Sequence, residues 1–185
     1  MSVFDVRKRD HLARIGNLKI SDETVISTPA VLDMQELFPS LKNRPFMNIP
    51  LTAGLSDVTN YLEQGDEPSA VHPLADSAAD TGIYLFSNWN TTLSDSGKYL
   101  DHLVKIYEKS RPDVARYAPA SALPSNVASL IYTGFDVFDY TAVDLATVQK
   151  KFCLPEGEFD ASWMDKGLCD CEGCRTHNLK LHNRL

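Results

Sequence analysis

Short apolar runs alternate with segments of helical periodicity between residues 82 and 140, and this order leaves few folds open. Three of the runs have the length and apolar content of buried strands. The two segments between them repeat apolar residues at helical spacing and end at a helix-breaking residue. The strands are GIYLFSN, ARYAP and FDVFDY, and the second helix lies in LPSNVASLIYTG. Strand, helix, strand, helix, strand is typical of a parallel sheet covered by helices, so we predict an α/β fold.

The first of these helices has its own signals. Thr92 and Asp95 are spaced as a capping box at its start, and Arg111-Pro112 ends it. Its predicted buried face consists of Leu100, Leu103, Val104 and Tyr107. Further towards the amino terminus, residues 11 to 31 alternate loosely, which predicts short antiparallel strands in a hairpin. Residues 32 to 80 are broken by prolines and glycines, and the helix expected there is SDVTNYLEQ behind a Ser56 cap.

The composition limits the class of protein. With 185 residues, 43% of them hydrophobic, the chain can build one domain with a core, or one core with a small appendage. A net charge of −7 argues against a surface coated with Lys and Arg, although a local basic face is compatible with it. No run approaches the roughly 18 apolar residues of a membrane span, and MSVFDVRKRD lacks the apolar middle of a secretory signal. We therefore expect a cytoplasmic protein with no membrane segment.

Three of the four cysteines lie in the stretch CDCEGC, at Cys169, Cys171 and Cys174. In a reducing compartment such a cluster favours metal binding over disulfides. A closed zinc site needs four ligands, and the thiolates supply three. The alternatives for the fourth are His177, His182, water or a neighbouring chain. We predict zinc as the cofactor, held by the three cysteines with His182, against the alternative that His182 is a solvated helix residue. Cys153, the fourth cysteine, is expected to be a small buried side chain.

The strand FDVFDY carries two carboxylates, and its period of two separates them. Phe135, Val137 and Asp139 share one face, and Asp136 lies on the other. If the first face lines a barrel, Asp139 lies at the carboxyl end of its strand, where barrel enzymes place catalytic groups. The alternative is that Asp139 caps the following helix in AVDLATVQK.

These motifs together resemble the tRNA-guanine transglycosylase superfamily. HLARIGNLKI…ISTPAVL is similar to its opening, where a hairpin precedes a Thr-Pro entry into the first barrel strand. YAPASALPSNVASLIYTGFDVFDYTAV is similar to its late barrel segment, and the C-x-C-x-x-C to its zinc site. The sequence of the late segment most resembles the archaeal branch, which comprises archaeosine tRNA-ribosyltransferases and the N-terminal region of archaeosine synthases.

The resemblance implies a TIM barrel with a zinc subdomain that exchanges a guanine in tRNA for a 7-deazaguanine. In the superfamily an aspartate attacks the ribose anomeric carbon, and Asp139 occupies its place. The archaeosine synthase branch instead modifies a base that is already in tRNA. The resemblance therefore implies tRNA and a 7-deazaguanine base as partners, a barrel-like domain over residues 1–152, and a zinc-motif segment over residues 153–185.

The chain also departs from the superfamily pattern. A full barrel takes roughly 250 residues, whereas about 110 separate Thr28-Pro29 from Asp139. We therefore expect a shortened, TIM-barrel-like domain, and a homo-oligomer or a partner subunit to complete it. Asp95-Ser96-Gly97 only echoes the segment that supplies a second catalytic aspartate. Two hypotheses follow: a transglycosylase-like enzyme of tRNA base modification, or a non-catalytic subunit that binds tRNA or a partner.

Overall fold

The computed structural model describes residues 3–33, 69–70, 83–85 and 96–185. This part of the chain is a mixed α/β structure with three small sheets of three, five and two strands. None of its described helices is long and apolar enough to cross a bilayer. The predicted helix SDVTNYLEQ with its Ser56 cap, and the predicted capping box of Thr92 and Asp95, lie outside the described residues.

The amino-terminal sheet is antiparallel, with strands β1 (Phe4–Asp10), β2 (Ala13–Lys19) and β3 (Val25–Thr28) in that order. The predicted antiparallel strands in residues 11 to 31 are confirmed, and β1 extends the hairpin further towards the amino terminus. Gly16 in β2 lies where β1 crosses closely. A Cβ atom there would meet the Asp5 carbonyl oxygen at 2.7 Å and the Phe4 ring at 2.8 Å, so this contact requires glycine.

The central sheet has five described strands in the order β4-β8-β7-β6-β5. They are β4 (Ala30–Leu32), β5 (Ser69–Ala70), β6 (Ile83–Leu85), β7 (Ala115–Tyr117) and β8 (Val137–Asp139). The pairs β4–β8, β8–β7 and β7–β6 are parallel, and β5 is antiparallel to β6. Helices α1 (Ser96–Lys109) and α2 (Val127–Tyr132) connect β6 to β7 and β7 to β8. The predicted order of strands and helices is therefore confirmed, but the described strands form an open sheet and no closed barrel is present among them.

The main apolar core lies between the central sheet and these two helices. It contains Leu103 and Ile106 of α1, Leu130 of α2, and Ala118, Ala122, Phe135 and Phe138 from the sheet and its loops. The predicted face of α1 was wrong in part: Leu100 is 62% and Val104 55% exposed, whereas Ile106 is buried. Leu103, Ile106 and Tyr107 follow one another at helical spacing and form the face of α1 that packs against the core. The face predicted from Leu100 onwards is rotated about the helix axis relative to this buried face.

The remaining elements form the carboxyl-terminal part of the chain. After helix α3 (Thr141–Val148), strands β9 (Lys151–Leu154) and β10 (Gly157–Asp160) pair as an antiparallel hairpin. A 3-10 helix (Ala161–Lys166) and two short helices, α4 (Glu172–Arg175) and α5 (Leu179–Arg184), follow. The Trp163 ring stacks on the Phe159 ring, 4.3 Å away, and contacts the Lys166 ammonium, 3.8 Å away. The predicted domain boundary after residue 152 falls within β9 and stays a prediction.

Candidate metal centre and adjoining cavity

Four side chains of the carboxyl-terminal segment converge on one point. The ligand atoms of Cys169, Cys171, Cys174 and His182 all lie within 4.8 Å of one another. The His182 Nδ1 atom is 3.3 Å from the Cys171 sulfur and 3.4 Å from the Cys174 sulfur. Around a tetrahedral zinc ion, ligand radii of about 2.3 Å for sulfur and about 2.0 Å for nitrogen place such atoms about 3.5 Å apart. The cluster therefore could hold a metal ion, and its donor set is one that zinc accepts.

The cysteine loop is shaped by its own backbone. Cys171 is the N-cap of α4, and its sulfur accepts a hydrogen bond from the Cys174 amide at 3.4 Å. Gly173, between them, packs directly on the backbone of α5: a Cβ atom there would lie 2.3 Å from the His182 nitrogen. Only glycine allows the two short helices to approach closely enough for His182 to reach the thiols.

The chain reverses direction between α4 and α5, and this decides which histidine joins the cluster. Asn178 N–H donates to the Gly173 carbonyl and His177 N–H to the Cys174 carbonyl, with His177 in the left-handed conformation at φ 50°. This is a Schellman motif, which ends α4. His177 consequently projects outward to an exposed contact with the Asp165 carboxylate, and it does not join the cluster. His182, by contrast, is 8% exposed and points back to the thiols.

The tautomer of His182 follows from its second ring nitrogen. Nε2 lies 2.9 Å from the carbonyl oxygen of Cys153, which can only accept a hydrogen bond. Nε2 therefore carries the proton, and Nδ1 presents a lone pair to the thiols, as a metal ligand must. The Phe152 ring stacks on the imidazole at 4.1 Å and fixes its plane.

The thiols of the cluster differ in acidity. Burial raises the pKa of the Cys171 thiol, whereas the hydrogen bond from the Cys174 amide lowers it. Burial and the neighbouring Cys171 raise the pKa of Cys174 to about 12. The thiols thus resist simultaneous ionisation, and a bound cation would relieve that repulsion.

Asp139 lies at the carboxyl end of β8, as predicted. Its side chain shares a face with Tyr117 of β7, opposite to the face on which Phe138 packs against the helices. The Tyr117 hydroxyl donates to the Asp139 carboxylate. The amides of Ala120, at 3.1 Å, and of Thr141, at 2.9 Å, also donate to it. Asp139 lies one residue before Tyr140, the N-cap of α3, so its bond from the Thr141 amide joins the strand end to the first residue of the helix and is not an N-cap bond.

A cavity of about 530 Å³ adjoins both Asp139 and the cluster. Its lining is mostly apolar and comes from the ends of β4, β8 and β9 and from the loop after β7. Asp139, Cys169, Cys171 and His182 are among the polar residues that line it, with Val31, Leu123, Val127, Val143 and Leu154 among the apolar ones. Asp139 and three of the four residues of the cluster therefore border the same cavity.

Burial changes the protonation of Asp139. The side chain is 3% exposed, and desolvation raises the pKa of its carboxyl above 3.8 although the bonds from Tyr117, Thr141 and Ala120 oppose this. A raised folded-state pKa means that the folded chain binds this proton more tightly than the unfolded chain. Its contribution to stability is therefore complete below pH 3.8 and is lost as the pH rises through the folded-state value.

We predict that Asp139→Asn becomes progressively more stable relative to the native sequence as the pH rises from about 4, with a slope of at most about 1.4 kcal/mol per pH unit. Asparagine can still accept from the Ala120 and Thr141 amides while its amide donates to the Tyr117 oxygen. Urea unfolding of both proteins between pH 4 and 8 measures the difference. A difference that is constant over this range, or that falls, would contradict the raised pKa.

The second carboxylate of the strand, Asp136, lies at the opposite end of β8 and is used differently. It accepts from Arg14 Nε at 3.0 Å and from the Arg116 amide at 2.8 Å, and it forms an ion pair with Arg14. Both side chains of this pair are completely buried. Arg14 also donates to the Pro112 and Val114 carbonyls, both at 3.1 Å. This pair attaches the amino-terminal sheet to the central sheet and is remote from the cavity.

Sequence reasoning missed three groups of this region. The Cys153 carbonyl that sets the tautomer of His182 is a backbone atom and leaves no signal in the sequence. The sequence patterns also did not indicate a role for Asn183, which is 4% exposed, or for Tyr117, which is fully buried. The position of Tyr117 in the strand adjacent to that of Asp139 was available as a signal, because neighbouring parallel strands place paired residues on the same face. Arg184, the residue after Asn183, is paired with Asp144 of α3.

The fold and the site define a mixed α/β protein that carries a Cys₃His cluster, able to hold a metal ion, beside a carboxylate-bearing cavity. The chain is similar to archaeosine synthases. It is 28% identical over 193 residues to archaeosine synthase of Haloferax volcanii, an alignment that covers 93% of this chain and 33% of that protein. It is 30% identical over 216 residues to archaeosine synthase subunit alpha of Methanosarcina acetivorans, covering 92% and 34%.

The chain thus spans about a third of the length of the curated relatives it matches. No protein-family model matches it. The similarity runs over nearly all of this chain and agrees with the archaeosine-related branch indicated by the motifs.

Proposed function

We propose that this chain takes part in tRNA base modification on the archaeosine pathway and acts on a 7-deazaguanine base in tRNA. The observation that carries the proposal is the position of Asp139 at the carboxyl end of a parallel strand, on the wall of a cavity of about 530 Å³. Parallel α/β enzymes bind their substrates at this end of the sheet. The similarity to two archaeosine synthases supports the choice of pathway.

We propose that residues 1–152 form a shortened TIM-barrel-like domain, followed by a zinc segment over residues 153–185. The order β4-β8-β7-β6 supports this, because β4 enters directly after Thr28-Pro29 and pairs with β8, about 105 residues further along the chain. A barrel brings its first and last strands together in this way. The antiparallel β1–β3 sheet then covers the amino ends of the strands.

In the transglycosylase-like reaction, Asp139 is the nucleophile. A carboxylate oxygen forms a bond to the anomeric carbon of the ribose, the bond from that carbon to the base breaks, and the base leaves after taking up a proton. A ring nitrogen of the incoming 7-deazaguanine then forms a bond to the anomeric carbon and releases its proton, which balances the proton taken up by the departing base, while the bond to Asp139 breaks and the carboxylate is regenerated. Tyr117 and the Ala120 and Thr141 amides hold the carboxylate in position. Where the base is modified while attached to tRNA, Asp139 is instead a polar contact in the base site.

We propose zinc as the ion in the Cys₃His cluster. Three thiolates and one imidazole complete a tetrahedral set, so the ion would be structural and leaves no open position for substrate. Cys169, Cys171, Cys174 and His182 would hold it. This chemistry requires reduced thiols, which accords with a cytoplasmic location.

A second candidate is a non-catalytic role, in which the chain is a subunit that binds tRNA or a partner. The observation that favours it is that the hydrogen-bonding capacity of the Asp139 carboxylate is already used within the chain. The side chain is 3% exposed, and its oxygens accept from three donors. Its raised pKa also disfavours the ionised form that a nucleophile needs. In this case a partner subunit or a second copy of the chain completes the machinery.

The two candidates differ in what Asp139 does. We predict that Asp139→Ala abolishes covalent trapping of tRNA, and reduces formation of the modified base at least about 100-fold, while tRNA binding and the fold are retained. The assay uses the purified chain, unmodified tRNA transcript and radiolabelled 7-deazaguanine, with trapped tRNA resolved on a denaturing gel. Asp113→Asn is the matched control, because Asp113 is an exposed carboxylate paired with Arg111 outside the cavity.

Trapping retained in Asp139→Ala would assign the nucleophile to another residue. A native chain that binds tRNA without trapping or turnover, alone and unaffected by Asp139→Ala, would support the non-catalytic subunit. Light scattering on the same samples measures whether the active species is a monomer, an oligomer or a complex.

A further inference from the structure

Asn183 makes three hydrogen bonds from a position next to the cluster histidine. Its side chain lies in α5 and is 4% exposed. The amide oxygen accepts from the Cys153 N–H at 3.0 Å, and the amide nitrogen donates to the Lys151 carbonyl and to the Thr147 hydroxyl, both at 2.9 Å. Every polar atom of the side chain is therefore engaged, with β9 on one side and α3 on the other.

The backbone of Cys153 is held from α5 at both of its polar atoms. Its N–H donates to Asn183, and its carbonyl accepts from His182 Nε2 at 2.9 Å. Strand β9 has β10 as its neighbour on the other side, so these two bonds occupy the edge that a further strand would use. Asn183 and His182, two consecutive residues of α5, thus hold the two polar backbone groups of Cys153.

We propose that Asn183 is a positioning residue of the metal centre. It holds the Cys153 backbone so that the Cys153 carbonyl accepts a hydrogen bond from His182 Nε2. This bond orients the imidazole so that the Nδ1 lone pair points at the metal. The inference rests on the proposed occupancy of the Cys₃His cluster by zinc. It does not depend on the reaction at Asp139.

The side chain at position 183 must accept and donate at once. Aspartate keeps an acceptor for the Cys153 N–H but would point an oxygen at the Lys151 carbonyl, and leucine supplies neither donor nor acceptor. Aspartate therefore repels the Lys151 carbonyl, and leucine leaves both the Cys153 N–H and the Lys151 carbonyl without their partners, so either change weakens the attachment of α5 to β9. Partners that orient a metal-binding histidine typically contribute 10- to 100-fold to metal affinity.

The test compares Asn183→Asp and Asn183→Leu with a control on the same helix. Arg184→Gln removes the ion pair that attaches α5 to Asp144 of α3, without touching Cys153. We expect the Asn183 variants to bind Zn²⁺ at least about 10-fold more weakly in competition with a chromophoric chelator. Arg184→Gln should stay within about twofold of the native chain.

A second readout separates positioning from general stability. In the zinc-loaded native chain, ¹⁵N NMR of the imidazole should show a protonated, slowly exchanging Nε2 and a metal-bound Nδ1 in His182. In Asn183→Asp the Nε2 proton should exchange faster. Circular dichroism identifies any variant that fails to fold.

Native affinity and an unchanged imidazole spectrum in folded Asn183 variants would overturn the inference alone. A loss of affinity equal to that of Arg184→Gln at equal loss of stability would overturn it too. A native chain that binds no Zn²⁺ would overturn the metal centre together with this inference, and the tRNA assay with Asp139→Ala would be unaffected by either result.

Discussion

We expect Cys174→Ser, which removes one thiol of the cluster, to unfold the segment from about residue 167 to 185 while the central sheet stays folded. The helices of this segment are short: α4 has four residues and α5 six, and helices of this length are unstable by themselves. In small zinc-binding segments the ion contributes about 10–16 kcal/mol of apparent binding free energy, which is also folding free energy. Once it is lost, α5 no longer holds the β9 edge through His182 and Asn183.

Hydrogen exchange read by mass spectrometry is the measurement, with elemental analysis for zinc. We expect one zinc per native chain, less in Cys174→Ser, and loss of amide protection over α4, α5 and β9 in that variant or after chelation. His177→Gln is the control, because His177 is exposed and outside the cluster. Unchanged protection after complete removal of zinc would show that the metal does not support the fold.

The buried pair of Arg14 and Asp136 is expected to give the second large effect. Asp136→Asn leaves Arg14 without its counter-charge in a site where both side chains are fully buried, and Arg116 is nearby. Burial, followed by the charge of Arg14, lowers the pKa of Arg116 to about 10, which shows how poorly this site tolerates positive charge. Breaking such a pair from one side costs about 3–5 kcal/mol, so we expect a loss of that size in the free energy of unfolding.

Urea unfolding at pH 7 measures this loss. The matched control is Asp113→Asn, which breaks an exposed pair with Arg111 and should cost less than about 1 kcal/mol. The double variant Arg14→Met/Asp136→Leu should lose less than the sum of the single variants, because it removes both charges together. Equal losses for the buried and exposed pairs would contradict the role assigned to Arg14 and Asp136.

Local sequence patterns predicted much of the fold. The apolar runs at β6, β7 and β8, and the helical spacing between them, are properties of neighbouring residues, and the structure has the same elements in the same order. The buried face of α1 was predicted wrongly in part because the helix has more apolar residues than its buried face can hold. Ile106 is buried, whereas Leu100 and Val104 are exposed. Only the packing of α1 against Phe138 and Leu130 selects among them.

Local sequence patterns predict only part of the metal-binding cluster. By itself, the sequence determined that three thiols lie close together, since the spacing C-x-C-x-x-C allows little else, and that Asp139 ends a buried strand. It left His177 as an alternative to His182, which we predicted as the fourth ligand. Tertiary structure made that choice, because the reversal after α4 turns His177 outward, and the Cys153 carbonyl, 29 residues before His182, sets the tautomer. It also placed Asp139 and the cluster around one cavity and separated Asp136 from both, because strand pairing and the packing of α5 on β9 join residues that are far apart in the chain.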